Sequence, residues 1–354
     1  MIDIRPILKK AVLGGRLSLE EGTALYASND LPALGEAADQ MRMRFHRQRQ
    51  VTYIIDRNIN YTNVCVCECR FCAFWRPAPH PEAYVMEKDE LFGKIEETIA
   101  ANGTAIMLQG GLHPKLNLDY FLSLLKSVKE RYKIHIHSFS PPEIVHLARI
   151  SRLTPQAVLR ALQNAGLDSL PGGGAEILVD RVREIISPSK ISWEKWMEVM
   201  HLAHQMGMKT TATMMFGHVE TYEERILHMI RVREQQDRTG GFTAFIPWTY
   251  QPQNTRLGGT AAGGTDYLKT IAISRLMLDN VPNIQVSWVT QGLKVAQIAL
   301  AFGANDFGSL MLEENVVRAA GVSYQAQLSE IVHCIEEAGY IPRQRDTLYQ
   351  LIKA

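Results

Sequence analysis

Val51-Thr52-Tyr53-Ile54-Ile55-Asp56 leads, within a few residues, into Asn63-Val64-Cys65-Val66-Cys67-Glu68-Cys69-Arg70-Phe71-Cys72. The first stretch is rich in β-branched and aromatic residues, which predicts a strand. The second places Cys65, Cys69 and Cys72 in C-x3-C-x2-C, with Phe71 just before the last thiol. Three thiolates so spaced can hold three irons of a cubane cluster and leave the fourth iron without a protein ligand. An open iron can bind a small molecule and pass it one electron.

Other uses of these thiols have weaker support. The chain has 5 cysteines in 354 residues: these three, Cys67 and Cys334. That density does not suit a disulfide framework. Structural zinc takes two Cys/His pairs, and no second pair with knuckle spacing follows. A closed cluster needs a fourth thiol, for which Cys334 is the one remote choice. Cys67 is out of step with the other three and reads as a bystander. An iron–sulfur carrier or a zinc-bound structural protein is the non-enzymatic alternative.

Working outward, the chain alternates strands and helices. Strands are expected at Ala105-Ile106-Met107-Leu108, 133–137, 167–170, 210–216, 242–246, 284–288 and 305–307. Helices are expected between them, with Thr154-Pro155 and Ser192 as starts and a capping box at Thr221-Tyr222-Glu223-Glu224. Eight such units over about 260 residues predict an α/β fold of the (β/α)8 barrel type. No Gly-rich nucleotide loop follows the first strand, which disfavours an open doubly wound sheet. Residues 1–48 read as an N-terminal helical extension, with Ser18-Leu19-Glu20-Glu21 as a capping box. Residues 49–312 read as the barrel, and 313–354 as a C-terminal helical extension packed on it. The 38 basic and 37 acidic residues are spread along the chain, which argues against nucleic acid or a charged membrane as partner. No apolar run could span a bilayer and no signal-peptide core opens the chain, so a cytoplasmic enzyme is expected.

A barrel of this type carries its active site at the C-terminal ends of its strands. Those ends supply the cysteine loop, Gln109-Gly110-Gly111, Ser138 to Glu143, Pro171 to Glu176, Gly217-His218-Val219-Glu220, Pro247-Trp248-Thr249-Tyr250, Ser287-Trp288 and Asn305-Asp306. His135 and His137 alternate on one strand, share a face, and read as hydrogen-bonded core. Arg275 and Asp279, one helical turn apart, read as a structural ion pair.

The first strand, the cysteine loop and the Gly-Gly strand end resemble the radical S-adenosylmethionine (SAM) superfamily. Leu108–Pro114, His137–Ile144, Ala165–Glu176 and Thr213–His218 are similar to the branch holding the futalosine-pathway menaquinone enzymes and the deazaflavin-forming synthases. Gly240–Trp248, Ser287–Gly292 and Gly303–Ser309 point within that branch to its ring-closing member, with aminofutalosine synthase and the deazaflavin (FO) synthase subunits as alternatives. The resemblance implies a 4Fe-4S cluster on Cys65, Cys69 and Cys72, SAM on the open iron, and an electron donor such as flavodoxin or ferredoxin. It implies that Phe71 packs on the adenine and that Gly110 and Gly111 let backbone approach the cofactor beside Gln109. Ser140 and Glu143 would bond the ribose hydroxyls or the methionine end, with Glu143 equally suited to capping the next helix. Backbone N–H groups of Gly172 and Gly173 would meet a carboxylate. The implied substrate is dehypoxanthine futalosine, a ribose-like sugar joined through a keto chain to a benzoate. For it, Glu220, Asn305 and Asp306 would clamp the sugar, Trp248, Tyr250 and Trp288 would hold the ring, and His218 or Asp306 would be the base.

Overall fold

The computed structural model describes residues 3–352; residues 1–2 and 353–354, the outer tips of the two extensions, lie outside the described residues. Three helices come first, α1 (Arg5–Val12), α2 (Leu19–Ala27) and α3 (Leu31–Phe45). Ser18 Oγ accepts from Glu21 N, and the Glu21 carboxylate accepts from Ser18 N, so the expected capping box opens α2.

The barrel begins with β1 (Gln50–Ile54) and β2 (Asp56–Ile59), one strand interrupted at Ile55. Then come α4 (Lys88–Ala100), β3 (Ala105–Leu108), α5 (Leu118–Arg131), β4 (His135–Ser138), α6 (Pro141–Ser151), α7 (Pro155–Asn164) and β5 (Ser169–Leu170). The second half adds α8 (Asp180–Ile186), α9 (Trp193–Gln205), β6 (Lys209–Phe216), α10 (Tyr222–Thr239), β7 (Phe242–Thr249), α11 (Gly264–Met277), β8 (Asn283–Ile284), α12 (Trp288–Ala299) and β9 (Asp306–Ser309). After the barrel come α13 (Val316–Ala319), α14 (Leu328–Glu337) and β10 (Ile341–Gln344).

Strands β2 to β8 form one parallel sheet in chain order, and β9 lies parallel beside β1. A single bridge, Gln285 to Asp306, joins β8 to β9 and closes the ring. With β1 and β2 counted as one, the eight expected strands are present. Pleating sorts the side chains. Ile106 and Ile136 are fully buried, while their strand neighbours Met107 and His137 line the interior cavity.

The structure differs from the sequence reading in several places. The strand expected at 284–288 stops at Ile284, and Trp288 already begins α12. The last strand runs from Asp306 to Ser309, so Asn305 and Asp306 stand at its start, not its end. Arg275 is not paired with Asp279. It is buried against Gly303 O and Asn305 Oδ1, while Asp279 binds Arg16. The C-terminal segment is not wholly helical, because β10 adds in parallel to β1. Pairing of β3 starts only at Asp56, so the lower half of the first strand would otherwise be an open edge, and β10 covers it. Among the described residues no helix is long and apolar enough to cross a membrane.

Candidate functional site

One cavity of about 410 Å³ fills the barrel from the strand ends down to the tail after β10. Its size suits a bound organic molecule. The cysteine loop forms one wall. The loop is fixed through backbone bonds at both ends: Cys65 N to Arg76 O (3.1 Å), Val66 N to Leu112 O (3.1 Å), and Arg70 N to Ile186 O (2.8 Å). The Arg76 guanidinium donates to Ala73 O and Trp75 O, both at 2.9 Å, and so holds the turn beyond Cys72.

All four thiols of the loop line the cavity and none is in a disulfide. Among the described residues no three His, Cys, Asp or Glu side chains converge as ligands of a single ion would. A cube of iron and sulfide is larger than one ion and takes thiols set apart along a wall, so the donor set fits the cluster. Cys67 differs from its neighbours. Its N–H approaches Cys65 Sγ at 3.5 Å and its thiol points at Ser189 O (3.6 Å). Interaction with the neighbouring Cys65 and Cys69 sulfurs pushes the Cys67 thiol well above the usual thiol range. Its thiol lowers Cys65 to about 6, the other causes being lesser, and also lowers Cys69. Burial pushes Cys72 up to about 11.

Lys190, which sequence reasoning missed, stands beside this wall. Its Nζ bonds Glu176 Oε1 at 2.5 Å and lies 5.1 Å from the centroid of the Phe71 ring. Burial disfavours its charge, but the thiolate of Cys69 and the Glu176 carboxylate outweigh that and hold the ammonium charged. A buried cation among thiols suits an anionic cluster. It lies on the irregular segment between α8 and α9, where a lone lysine gives no sequence signal.

The end of β3 meets the cysteine loop directly. An added Cβ on Gly111 would lie 2.2 Å from Val64 O, and one on Gly110 would lie 2.6 Å from the Tyr61 ring. Both glycines are therefore required by the loop's own packing. Glu143, buried on the first turn of α6, ties these parts together. Its Oε1 accepts from Tyr61 Oη (2.6 Å) and Gly110 N (3.2 Å), and its Oε2 accepts from Ser140 Oγ (2.5 Å). Burial raises its pKa to about 7 despite these donors. Gln109 Nε2 donates to Phe139 O (3.2 Å), and Gln109, Ser140, Glu143 and Gly173 all line the cavity. Gly172 does not. Its N–H is spent on Thr211 Oγ1 (3.0 Å), which removes it as a carboxylate donor.

Trp248 and Trp288 also line the cavity, with Trp288 Nε1 bonded to Ser309 O (2.9 Å). The other expected residues lie elsewhere. The His218 imidazole is sealed, with one nitrogen on Met215 O (3.0 Å) and the other accepting from Val219 N (2.8 Å). Glu220 caps Gly217 N and His218 N and pairs with buried Arg225 at 2.8 Å. Neither lines the cavity, so neither is placed as base or clamp. Tyr250 is 1% exposed, with its hydroxyl on Thr255 Oγ1 (2.5 Å) and Gly258 O (3.1 Å), so it pins its own loop. Asn305 is saturated by Arg275, Ile284 N and Asn283. Asp306 is fully buried, with both oxygens on Arg345 (2.5 and 2.8 Å) and a further bond from Thr52 Oγ1. It anchors the C-terminal tail and is not an open base.

That tail supplies the cavity floor, which no sequence pattern announced. Arg345, Thr347 and Tyr349 line it, and the buried Thr347 and Tyr349 hydroxyls have no partner among the described residues. Asp56 also faces the cavity, with burial raising its pKa to about 6.

Comparison with known proteins gives two family matches: the radical SAM superfamily over residues 59–230, and the CofH/MqnC C-terminal region over 239–354. A cyclic dehypoxanthine futalosine synthase of Halalkalibacterium halodurans is 48% identical over 99% of this chain and 96% of its own length. A 5-amino-6-(D-ribitylamino)uracil–L-tyrosine 4-hydroxyphenyl transferase of Archaeoglobus fulgidus is 44% identical over 85% of this chain and 89% of its own. An aminodeoxyfutalosine synthase of Thermus thermophilus is 39% identical over 98% and 95%. Among solved structures, methylornithine synthase (PylB) superposes with a TM-score of 0.75 at 19% identity, over 95% of this chain and 97% of that one. At that identity the likeness speaks for the fold.

Proposed function

We propose, from the premise that this chain belongs to the radical SAM superfamily, that it closes the ring of dehypoxanthine futalosine in menaquinone biosynthesis, as a cyclic dehypoxanthine futalosine synthase does. The full-length identity to a relative of that name supports the reading, since it exceeds that to the transferase and the aminodeoxyfutalosine synthase. The observation that carries it is one cavity lined both by the thiols and by Trp248 and Trp288.

Cys65, Cys69 and Cys72 would hold a 4Fe-4S cluster, and bound SAM would supply a 5′-deoxyadenosyl radical. Phe71, Gln109, Gly110, Gly111, Ser140, Glu143 and Gly173 border the space that SAM would enter. Glu143, holding Gly110 N and Ser140 Oγ, sets the shape of that border. The radical so supplied would remove the hydrogen at the sugar C4′. The carbon radical then attacks the benzoate ring, and loss of one electron and one proton restores aromaticity. Trp248 and Trp288 offer flat apolar faces for that ring. The reductant would be a small electron-transfer protein such as flavodoxin or ferredoxin, and the setting the cytoplasm.

Anaerobic turnover with SAM, a reductant and dehypoxanthine futalosine tests this. The expected products are free 5′-deoxyadenosine and a spirocyclic product that has lost two hydrogens relative to the sugar–benzoate. Deoxyadenosine found covalently attached to substrate would assign the chain to the aminodeoxyfutalosine activity. Consumption of tyrosine with a ribitylaminouracil would assign it to the transferase.

A further inference from the structure

We propose that His137, Ser169 and His135 form a relay that takes the proton released on rearomatisation from the cavity to the barrel floor. The proposal rests on the ring-closing reading above and names the acceptor that His218 and Asp306, closed off in the structure, do not provide.

The relay is built by strand geometry. His135 and His137 stand two apart on β4, so both point into the barrel. Ser169 on β5 is the register partner of His137. Its Oγ lies 2.7 Å from His137 Nδ1 and 2.6 Å from His135 Nε2. One hydroxyl carries one proton, so between two imidazole nitrogens it must donate to one and accept from the other. The chain is thereby directional. His137 is the one imidazole lining the cavity; with Nδ1 on Ser169, its Nε2 is the nitrogen left for the cavity and has no partner among the described residues. His135 lies at the opposite, N-terminal end of the strand and is half-buried, with Asp168, Lys129 and Asp346 as its nearest charges.

Other titratable groups of the cavity lack such an exit. Among the described carboxylates lining the cavity, Glu143 accepts on both oxygens, Glu176 is held by Lys190, Glu314 accepts from Val317 N, and Asp56 accepts from Ser309. A proton taken by any of them has no onward hydrogen-bonded path among the described residues. Burial keeps both imidazoles neutral, so each can receive one.

The step balances as follows. The cyclised ring radical gives one electron to an iron–sulfur acceptor and becomes an arenium-type cation. Its ring C–H bond breaks, the electron pair refills the aromatic sextet, and the proton goes to His137 Nε2. The Nδ1 proton of His137 passes to Ser169 Oγ, and the Ser169 proton passes to His135 Nε2. The His135 imidazolium then sheds its Nδ1 proton to solvent. An arenium ion is a strong acid, so an imidazole held at low basicity is a sufficient acceptor.

The test measures deoxyadenosine and cyclised product separately in the reconstituted full-length enzyme. Ser169→Ala and His137→Gln are expected to keep deoxyadenosine formation within about twofold, while product per deoxyadenosine falls by on the order of 10²-fold. Added imidazole should restore product in His137→Gly, which a merely structural histidine would not allow. An unchanged product-to-deoxyadenosine ratio in both variants overturns the relay, and so does an equal loss of both products. A wild-type enzyme that leaves dehypoxanthine futalosine untouched while cleaving SAM condemns the functional reading instead.

Discussion

At the end of β3, Glu143 binds Gly110 N, Tyr61 and Ser140 and faces the cavity. At the end of β6, Glu220 binds Gly217 N, His218 N and Arg225 and does not line that cavity. Both are buried carboxylates gripping a Gly-containing turn just past a strand. The difference lies in what packs over the turn. Over the turn past β3 lies the cysteine loop, carried there from the end of β2, and the cavity opens beside it. Beyond β6, Gly217 turns at φ +88°, with Ala262 pressed against it, and Arg225 of α10 fills the gap. Standing at a strand end makes a side chain available to a site. The packing of the following loop decides whether it is used.

That contrast breaks first at the thiols. Cys65→Ala, Cys69→Ala or Cys72→Ala should abolish iron binding and SAM cleavage, whereas Cys67→Ala should keep both, as read by iron content and deoxyadenosine release. Iron lost from the Cys67 variant alone would overturn the ligand assignment. Next in size is Glu220→Ala. It strips Arg225 of one of its two carboxylates in a sealed site, the other being Asp266, and should cost about 3–5 kcal/mol of stability in denaturant titration. Turnover per folded molecule should be unaffected. A turnover loss without destabilisation would return Glu220 to the site.

Glu143 should show the opposite pattern, and its signature is pH. Burial raises its folded pKa from 4.5 to about 7, so the folded state binds a proton more readily than the unfolded chain. Its contribution is fully present below about pH 4.5 and is lost as pH rises through about 7, a swing of about 3 kcal/mol. Apo-protein stability should therefore fall from pH 5 to pH 8, and Glu143→Gln should flatten that fall. Equal slopes for both proteins would show that the carboxyl is ionised throughout.

Much of this was legible in the chain. Strand–helix alternation gave the barrel because period and caps are local signals, and Ser18 and Thr221 cap as their sequences imply. The cysteine wall was legible because its ligands are close in sequence. The far wall was not. Asn305 and Asp306 were misplaced because a strand expected at 305–307 in fact starts at Asp306, which moves both from the mouth to the floor. Arg345, Thr347 and Tyr349 reach the cavity only because β10 pairs with β1 across nearly the whole chain, and no local pattern encodes that pairing. Lys190 was invisible for the same reason.

The finest form of the comparison lies within one strand end. Ile246 and Trp248 reach the cavity by the alternation of β7, but the strand stops at Thr249, and Tyr250 leaves that register to bond Thr255 and Gly258. Trp248→Leu should therefore raise the KM for the aromatic substrate about tenfold, close to the upper worth of one aromatic pair. Tyr250→Phe should leave KM alone and lower stability by about 1 kcal/mol, the net worth of a side-chain hydrogen bond. Steady-state kinetics beside thermal unfolding separates the two. A KM shift in Tyr250→Phe would mean that its loop, and not only the barrel wall, touches the substrate.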